Sequence, residues 1–257
     1  MRFASLGSGS EGNALVVEVG RTRILLDCGF GLRETVRRLA AKALQPEAVD
    51  AIVITHEHSD HIGGAARFAR KYDIPVWMTR GTLAVFRNQS AQLPEVRVLD
   101  SHTAFAIGDI EIHPFPVPHD AREPVQFVFG DGVHRLGVLT DVGASTAHIE
   151  AMLSGCDALV LECNYDSDLL DSSAYPLGLK RRIAGRFGHL DNQAAAALLS
   201  RLDNRRLQHL VAAHLSKHNN TPWLALQALA EVLGCTPDWF SHASQDEGFD
   251  WRELRTA

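Results

Sequence analysis

The sequence predicts a layered α/β domain, in which β-sheets are covered by α-helices. Short apolar segments that favour β-strands alternate with segments whose apolar residues recur at helical spacing, and this alternation occurs in both halves of the chain. No composition break or low-complexity linker interrupts the 257 residues, so one domain over residues 1–257 is the simplest organisation.

The first third of the chain carries the alternation most clearly. A short strand precedes the glycine-rich segment GSGSEGN, and two further strands, ALVVEV and RILLD, are joined by a turn at VGRTR. LRETVRRLAAKAL has the apolar spacing of a helix, and Pro46 follows its end. The apolar strand AIVIT, the helix GGAARFARKY, the strand VWMT and a helix around TLAVFRN come next.

The remaining two thirds first favour strands and then return to alternation. DIEIHPFPV, QFVFG and HRLGVLTD are predicted strands of the middle third. In the last third, the strands ALVLE and HLVAAH alternate with helices over NQAAAALLSRL and WLALQALAEVLG.

Composition and charge exclude several classes of protein. The first residues lack the long apolar stretch of a signal peptide, and no later segment approaches the length that spans a membrane. Cys28, Cys156, Cys163 and Cys235 show no CxxC spacing, which favours reduced thiols and a cytoplasmic location. A net charge of −6 argues against a protein that coats nucleic acid through bulk electrostatics.

Two short segments have both a structural and a functional interpretation. GLKRRIAGR clusters Lys180, Arg181, Arg182 and Arg186, either as a solvated helix face or as a local phosphate-binding patch. GSGSEGN is either a tight turn or a loop that faces a substrate anion. Its candidate anion ligands are backbone amides and the side chains of Ser8, Ser10 and Asn13.

The segment VITHEHSDHIGG predicts a metal site. His56, His58, Asp60 and His61 follow an apolar strand directly, and each of these side chains can bind a metal ion. Alternate residues of an extended segment point the same way, so His56 and His58 can share one cation while Asp60 and His61 turn towards a second. Without a cation, such a polar cluster would be costly to pack.

Further ligands are expected from other strand ends. His119 in FPVPHD, Asp141 in VLTD and His214 in LVAAHLS each follow an apolar strand. Imidazole and carboxylate without thiolate suit zinc, manganese or iron, and a carboxylate such as Asp141 can bridge two cations. The sequence therefore predicts two divalent metal ions, with zinc favoured.

These motifs resemble the metallo-β-lactamase superfamily, in which HxHxDH is followed by a later His, Asp and His. The resemblance implies an αββα four-layer sandwich. It makes His56, His58 and His119 the ligands of one metal and Asp60, His61 and His214 those of the other. Asp141 would bridge the two ions.

The chain is similar, over nearly its whole length, to the YycJ/WalJ-type subgroup, on FASLGSGSEGN, VLECNYD, YPLGLKRRI, GHLDN and AHLSKHNN. That subgroup is associated with exonuclease action on DNA, which implies DNA as a partner. The resemblance makes His189 a general acid near Glu162, and Asp60 is the third expected catalytic residue. It also implies that Lys180, Arg181 and Arg182 bind the substrate. Tyr165 and Asp191 depart from the pattern, where a His and a hydroxyl residue are expected.

The implied reaction is hydrolysis of a phosphodiester by hydroxide, formed from a water whose pKa two cations lower towards about 7. Secreted β-lactamases would require a signal peptide. The interval between Asp141 and His214 is too short for the extra domain of β-CASP nucleases, and no arm for tRNA is evident. A small-molecule cyclic phosphodiesterase remains an alternative, as does a non-catalytic metal-binding regulatory module. The sequence leaves metal identity, DNA or RNA, cleavage polarity and oligomeric state open.

Overall fold

Two seven-stranded sheets form the centre of the computed structural model, which describes residues 1–89 and 92–256. The strands of the first sheet are β1 (Arg2–Gly7), β2 (Ala14–Val19), β3 (Thr22–Leu26), β4 (Ala51–Val53), β5 (Val76–Met78), β6 (Val96–Val98) and β14 (Phe249–Glu253). The strands of the second are β7 (Phe105–Ile107), β8 (Ile110–Pro116), β9 (Val125–Gly130), β10 (Arg135–Leu139), β11 (Ala158–Glu162), β12 (His209–Ala213) and β13 (Ser241–His242).

Helices connect the strands and cover the outer faces of the sheets. They are α1 (Leu32–Ala41), α2 (Ser59–Ile62), α3 (Ala65–Tyr72), α4 (Arg80–Gln89), α5 (Ala147–Leu153), α6 (Ser167–Ser172), α7 (Leu177–Ile183), α8 (Asn192–Arg201) and α9 (Pro222–Leu233). Short 3₁₀ turns lie at Pro46–Ala48 and Pro237–Trp239. Within residues 1–89 and 92–256, no helix combines the length and apolar character that crossing a bilayer requires.

Three apolar cores show that the layers are stacked helix, sheet, sheet, helix. The central core joins residues of both sheets, for example Val17 and Ile24 of the first with Phe127 and Val160 of the second. A second core joins the outer face of the first sheet to α1, α3 and α4. A third joins the outer face of the second sheet to α5, α8 and α9. The predicted αββα sandwich is confirmed.

Strand direction decides where the strands end. In the first sheet, β3, β4, β5 and β6 run parallel, and in the second, β10, β11, β12 and β13 do so. Strand β9 is antiparallel to both β8 and β10, so β8 runs in the same direction as β10. The carboxyl ends of β8, β10, β11 and β12 therefore meet at one edge, where α/β sheets bind ligands.

Glycine permits a close approach of two chain segments at the start of α3. A side chain on Gly64 would collide with the carbonyl oxygen of Phe30, so only glycine lets the chain pass there. The backbone N–H of Gly64 donates to the carbonyl of Cys28 at 2.8 Å. This contact holds α2, which carries Asp60 and His61, against the loop that follows β3.

Candidate metal centre and active site

The side chains predicted from the sequence as metal ligands meet at the carboxyl edge of the two sheets. They are His56, His58, Asp60 and His61 after β4, His119 after β8, Asp141 after β10 and His214 after β12. Atoms able to bind a metal form several groups in which all members lie within 4.8 Å of one another. Residues as far apart in sequence as Asp60 and His214 are thus neighbours, because both sheets end at this edge.

His56, His58 and His119 form the first group. The Nδ1 atom of His58 lies 3.2 Å from the Nε2 atom of His119. Two nitrogens that bind one tetrahedral zinc at their usual distance lie about 3.3 Å apart. The observed separation fits one cation shared by these imidazoles.

Asp60, His61 and His214 form the second group. The Oδ2 atom of Asp60 lies 3.4 Å from Nε2 of His61 and 3.6 Å from Nε2 of His214. The rings of the two histidines are nearly parallel, with centroids 5.7 Å apart. Their Nε2 atoms face the same region, beside Oδ2 of Asp60.

Asp141 lies between the two groups. Its Oδ2 atom is 3.0 Å from Nε2 of His61 and 3.5 Å from Nε2 of His214, while its Oδ1 atom is 3.8 Å from Nε2 of His119. Burial acts to raise the pKa of Asp141, but the imidazoles of His214 and His61 outweigh it and hold that pKa well below its ordinary value. Asp141 is therefore an anion with one oxygen towards each group.

Two buried nitrogen atoms of the cluster lack hydrogen-bond partners within residues 1–89 and 92–256, as expected of atoms that bind cations. Among the described residues, Nε2 of His56 and Nε2 of His214 have no hydrogen-bond partner, although both are shielded from solvent. Buried polar atoms are nearly always paired, so unpaired ones need an explanation. Burial also holds the pKa of His56 well below its ordinary value, which favours the neutral imidazole that binds metals. The fold and this donor set imply divalent metal ions.

Hydrogen bonds from the ring nitrogens that face away from the cluster orient the imidazoles. Most of the groups that accept these hydrogen bonds were not predicted from the sequence. Nδ1 of His61 lies 2.8 Å from a carboxylate oxygen of Asp27, and Nδ1 of His119 lies 3.1 Å from the carbonyl oxygen of Gly188. With each Nδ1–H donating outward, Nε2 faces the cluster. A polar residue at the end of β3 was the available signal for Asp27.

Three residues around the cluster have left-handed backbones. Asp27, Asp141 and His214 have φ angles of 59°, 51° and 55°. This conformation costs a non-glycine residue about 1 kcal/mol or more, and it concentrates at functional sites. The left-handed conformation turns the chain sharply at the ends of β3, β10 and β12, and these side chains therefore point towards the cluster.

Glu162 and His189, predicted as catalytic partners, are in direct contact. Nδ1 of His189 lies 2.8 Å from Oε1 of Glu162, which is fully buried at the end of β11. Burial acts to lower the pKa of His189, but the Glu162 carboxylate outweighs it and raises this pKa to about 9. The ring of His189 stacks on that of His214 at 5.5 Å, so it borders the metal-binding cluster.

A cavity of about 290 Å³ opens above the cluster. The residues that line it include His58, Asp60, His119, Asp141, His189 and His214, together with Ser10, Asp120, Leu179 and Arg182. Arg182 donates from Nε to Asp120 at 2.7 Å, which holds its guanidinium at the cavity wall. Lys180 and Arg181 are not among the lining residues, and Nζ of Lys180 donates to the carbonyl of Asp171.

The glycine-rich loop divides into an inward and an outward part. Ser8 and Asn13 are buried, and Ser8 Oγ accepts a hydrogen bond from the backbone N–H of His214 at 3.0 Å. Nδ2 of Asn13 lies 3.1 Å from Nε2 of His61. These contacts indicate that Ser8 and Asn13 support the loops that carry the proposed metal ligands. Ser10, in contrast, is exposed at the cavity.

The two departures from the expected pattern lie beside the site. Tyr165 is buried and is not among the cavity-lining residues, and burial raises its pKa to about 12. Asp191 is the N-cap of α8, where its Oδ1 accepts from the backbone N–H of Ala194 at 2.6 Å. An aspartate caps a helix as well as a serine or threonine does, so this departure keeps the local structure.

Comparisons with known proteins agree with this architecture. A sequence profile of the beta-lactamase superfamily domain matches residues 22–214. The chain is 34% identical over 239 residues to an exodeoxyribonuclease YycJ of Bacillus anthracis, covering 91% of this chain and 89% of that protein. It is 32% identical over 236 residues to an exodeoxyribonuclease WalJ of Streptococcus pneumoniae, covering 90% and 88%.

Among solved structures, the metallo-beta-lactamase fold protein YhfI from Bacillus subtilis superposes with a TM-score of 0.75 at 16% identity. The match covers 98% of this chain and 99% of that chain. At this identity the likeness concerns the fold alone, and it agrees with the sandwich described above.

Proposed function

The chain belongs to the metallo-β-lactamase superfamily, and from this premise we propose that it is a metal-dependent exonuclease that hydrolyses phosphodiester bonds of DNA. The observation that carries the proposal is the pair of ligand groups on either side of Asp141, at the base of one cavity. The relatives that match over about nine tenths of the chain are exodeoxyribonucleases, which supports DNA as the substrate class.

The proposed ligand sets follow the two groups. One divalent cation would be held by His56, His58 and His119, and a second by Asp60, His61 and His214, with Asp141 bridging. Zinc suits this set of nitrogen and oxygen donors best, and manganese or iron are the alternatives. The chemistry that such a pair supplies is a lowered pKa of a shared water and neutralised charge on phosphate oxygens.

The protein's own residues position and protonate the substrate. Arg182, held by Asp120 at the cavity wall, donates to a phosphate oxygen. His189 donates a proton to the departing oxygen from Nε2, because its Nδ1 is engaged by Glu162. Ser10 is exposed and lines the cavity, so it can bind the same anion. Lys180 and Arg181 would neutralise phosphates farther along the strand.

The decisive experiment separates loss of metal from loss of proton transfer. His189→Ala should slow cleavage of a labelled DNA strand roughly a hundredfold, with metal content unchanged, if His189 is the acid. His58→Ala and Asp141→Ala should abolish cleavage and lower metal content by elemental analysis. His113→Ala, at a partly exposed histidine of β8 paired with Glu111, is the matched control and should behave as wild type. Loss of metal in His189→Ala would make His189 a ligand and overturn its role.

A small cyclic phosphodiester is the second candidate substrate, favoured by the modest cavity of about 290 Å³ and the net charge of −6. The rates at which one preparation hydrolyses a DNA strand and a ribose cyclic phosphodiester distinguish the two proposed functions. Preference for the cyclic compound by orders of magnitude would reverse the ranking. Full metal occupancy without turnover of either would indicate a non-catalytic regulatory module.

We also propose that residues 1–257 form one domain of a cytoplasmic protein. The pairing of β14 with β1 supports a single unit, because it joins the two ends of the sequence in one sheet. The described cysteines are free thiols, with Cys28, Cys156 and Cys163 buried, which supports a reducing compartment. Limited proteolysis that releases two stable fragments would contradict the single domain.

A further inference from the structure

The segment over residues 174–187, which contains α7, is mostly exposed. None of its residues is buried, and α7 contributes nothing to the apolar cores. Leu179, Arg182 and Ile183 nevertheless line the cavity above the metal-binding cluster. A helix that no core requires, placed at the rim of a site, is available to contact the substrate.

Phe187 ends this segment and exposes 57% of its surface. The two following residues, Gly188 and His189, both line the cavity. Phe187 is not itself among the cavity-lining residues, but its Cα lies about 3.8 Å from that of Gly188, which places its backbone beside the cavity.

The backbone that carries Phe187 is fixed. The N–H of His189 donates to the carbonyl of Ile183 at 2.9 Å, and that of Gly188 donates to Gly185 at 2.8 Å. A side chain on Gly143, two residues after Asp141, would collide with the backbone of residues 186–188. The backbone that presents the ring is therefore well held, so binding of a ligand to the ring costs little backbone freedom.

Positive charge lies beside Phe187 in the sequence. Arg186 precedes it directly, and neither Arg186 nor Arg181 has an ion pair or hydrogen bond from its side chain among the described residues. An aromatic face beside unpaired cations is the combination that binds single-stranded nucleic acids, through base stacking and phosphate neutralisation. The remainder of the chain is acidic, so the charge complementarity to a polyanion is local.

We propose that Phe187 stacks on an unpaired nucleobase next to the scissile phosphate, while Arg186 binds a neighbouring phosphate. This inference rests on the proposed nuclease function and names the form of its substrate. A base inside a duplex has both faces covered by its neighbours, whereas a base at a frayed or single-stranded end has one free. The enzyme therefore prefers strand ends with unpaired bases over blunt duplex ends.

The test combines protein variants with a modified substrate. Phe187→Ala should raise the KM for a single-stranded oligonucleotide about tenfold, the scale of one stacking contact. Phe187→Trp should restore the wild-type KM because it keeps an aromatic face, whereas Phe187→Leu should not. Trp239→Ala removes another exposed aromatic ring and is the matched control. Trp239 precedes β13, which runs parallel to β12, so it lies at the edge of the sheet opposite the carboxyl ends that carry the cluster.

Abasic nucleotides placed singly at the first few positions of the oligonucleotide locate the stacked base. At one position the missing base should raise the wild-type KM about tenfold and have no further effect on Phe187→Ala, because both changes remove the same contact. Additive effects at every position, or unchanged KM in Phe187→Ala, would overturn the inference. A changed oligomeric state of Phe187→Ala with unchanged KM would do so as well, and would assign the ring to a protein interface.

Salt dependence tests Arg186 separately. Each phosphate neutralised on a single strand contributes about 0.7 to the slope of log affinity against log salt. Arg186→Ala should reduce that slope by about this amount, and Arg33→Ala, an exposed arginine of α1 outside the cavity, should leave it unchanged. An unchanged slope in Arg186→Ala would overturn its role. If wild type hydrolyses bis-p-nitrophenyl phosphate but no oligonucleotide, the proposed nuclease function itself has failed, and the inference falls with it.

Discussion

Asp27 controls the orientation of one proposed metal ligand, His61. Its carboxylate is buried, accepts from the N–H of Thr55 at 2.9 Å, and lies 2.8 Å from Nδ1 of His61. Asn also tolerates the left-handed backbone at this position, so Asp27→Asn removes the charge and keeps the shape. We expect metal affinity to fall about tenfold or more, measured by competition with a chromophoric chelator.

Asp50→Asn is a suitable control for this experiment. Asp50 also accepts a backbone hydrogen bond, from Arg23 at 2.7 Å, but lies at the surface away from the cluster. Equal metal affinity in Asp27→Asn and wild type would show that the carboxylate does not tune His61.

Glu162 is the second residue whose effect acts through a neighbour. It raises the pKa of His189 to about 9 against the effect of burial, and a general acid works only while it is protonated. Activity should therefore fall as pH rises through that pKa. Glu162→Gln removes the charge and lowers the pKa, so the basic limb of the kcat profile should shift to lower pH. Glu150→Gln, at a half-buried carboxylate paired with Arg201, should leave the profile in place.

For single residues, the proposed metal ligands could be predicted from the sequence, but the groups that hydrogen-bond to them could not. His56, His58, Asp60 and His61 are close in sequence, so their spacing alone indicates a shared site. Asp27 and the carbonyl of Gly188 reach His61 and His119 only through tertiary packing. The polar residue that ends RILLD marks Asp27 as a candidate without showing its partner, and nothing in GRFGHLD signals the contact of Gly188. The inward hydrogen bonds of Ser8 likewise depend on how the loop folds onto His214.

Among the elements, the turn between β9 and β10 sets the register of the strand that leads to Asp141. Oδ1 of Asp131 accepts from the backbone N–H groups of Val133 at 2.9 Å and His134 at 2.6 Å. Burial acts to raise the pKa of Asp131, but these donors outweigh it and lower that pKa. The ionised carboxylate therefore stabilises the turn at neutral pH.

Asp131→Asn should lower the free energy of unfolding by about 1 kcal/mol at pH 7, the scale of such hydrogen bonds. Because the folded-state pKa lies below the unfolded value of about 3.9, this stabilisation is present above that value and is lost as pH falls. Urea unfolding of both proteins should thus give curves that converge between about pH 4 and pH 2. Asp238→Asn, at an exposed carboxylate, should differ little from wild type at any pH. A constant gap across this range would contradict the account.

The long periodic elements were predicted well, and among the short strands β4 and β5 were predicted whereas β6, β7 and β13 were missed. ALVVEV and ALVLE coincide with β2 and β11, because buried strands give continuous apolar runs. The two-residue strand β13 and the three-residue strands β6 and β7 carry too few residues for a periodic signal. Helix α7 was predicted only as a possible helix face, because it buries no apolar stripe that could reveal its period.

For the whole molecule, the cluster is the place where the two sheets are joined by polar groups. His56 and His61 follow a strand of the first sheet, whereas His119, Asp141 and His214 follow strands of the second. Cations bound between them would tie the sheets together at this edge. The apolar core between the sheets holds them elsewhere, so the folded state need not depend on metal entirely.

Removal of metal should therefore lower stability without abolishing folding. Ligand at a hundred times its Kd stabilises a folded protein by about 2.7 kcal/mol, which for a chain of this size corresponds to a Tm shift of roughly 5–10 °C. We expect calorimetry to show this decrease after chelation and recovery on addition of zinc or manganese. His56→Ala should respond much less to both treatments, because it lacks a ligand of the first group. A Tm that chelation leaves unchanged, in protein shown to contain metal beforehand, would mean that the cations do not link the sheets.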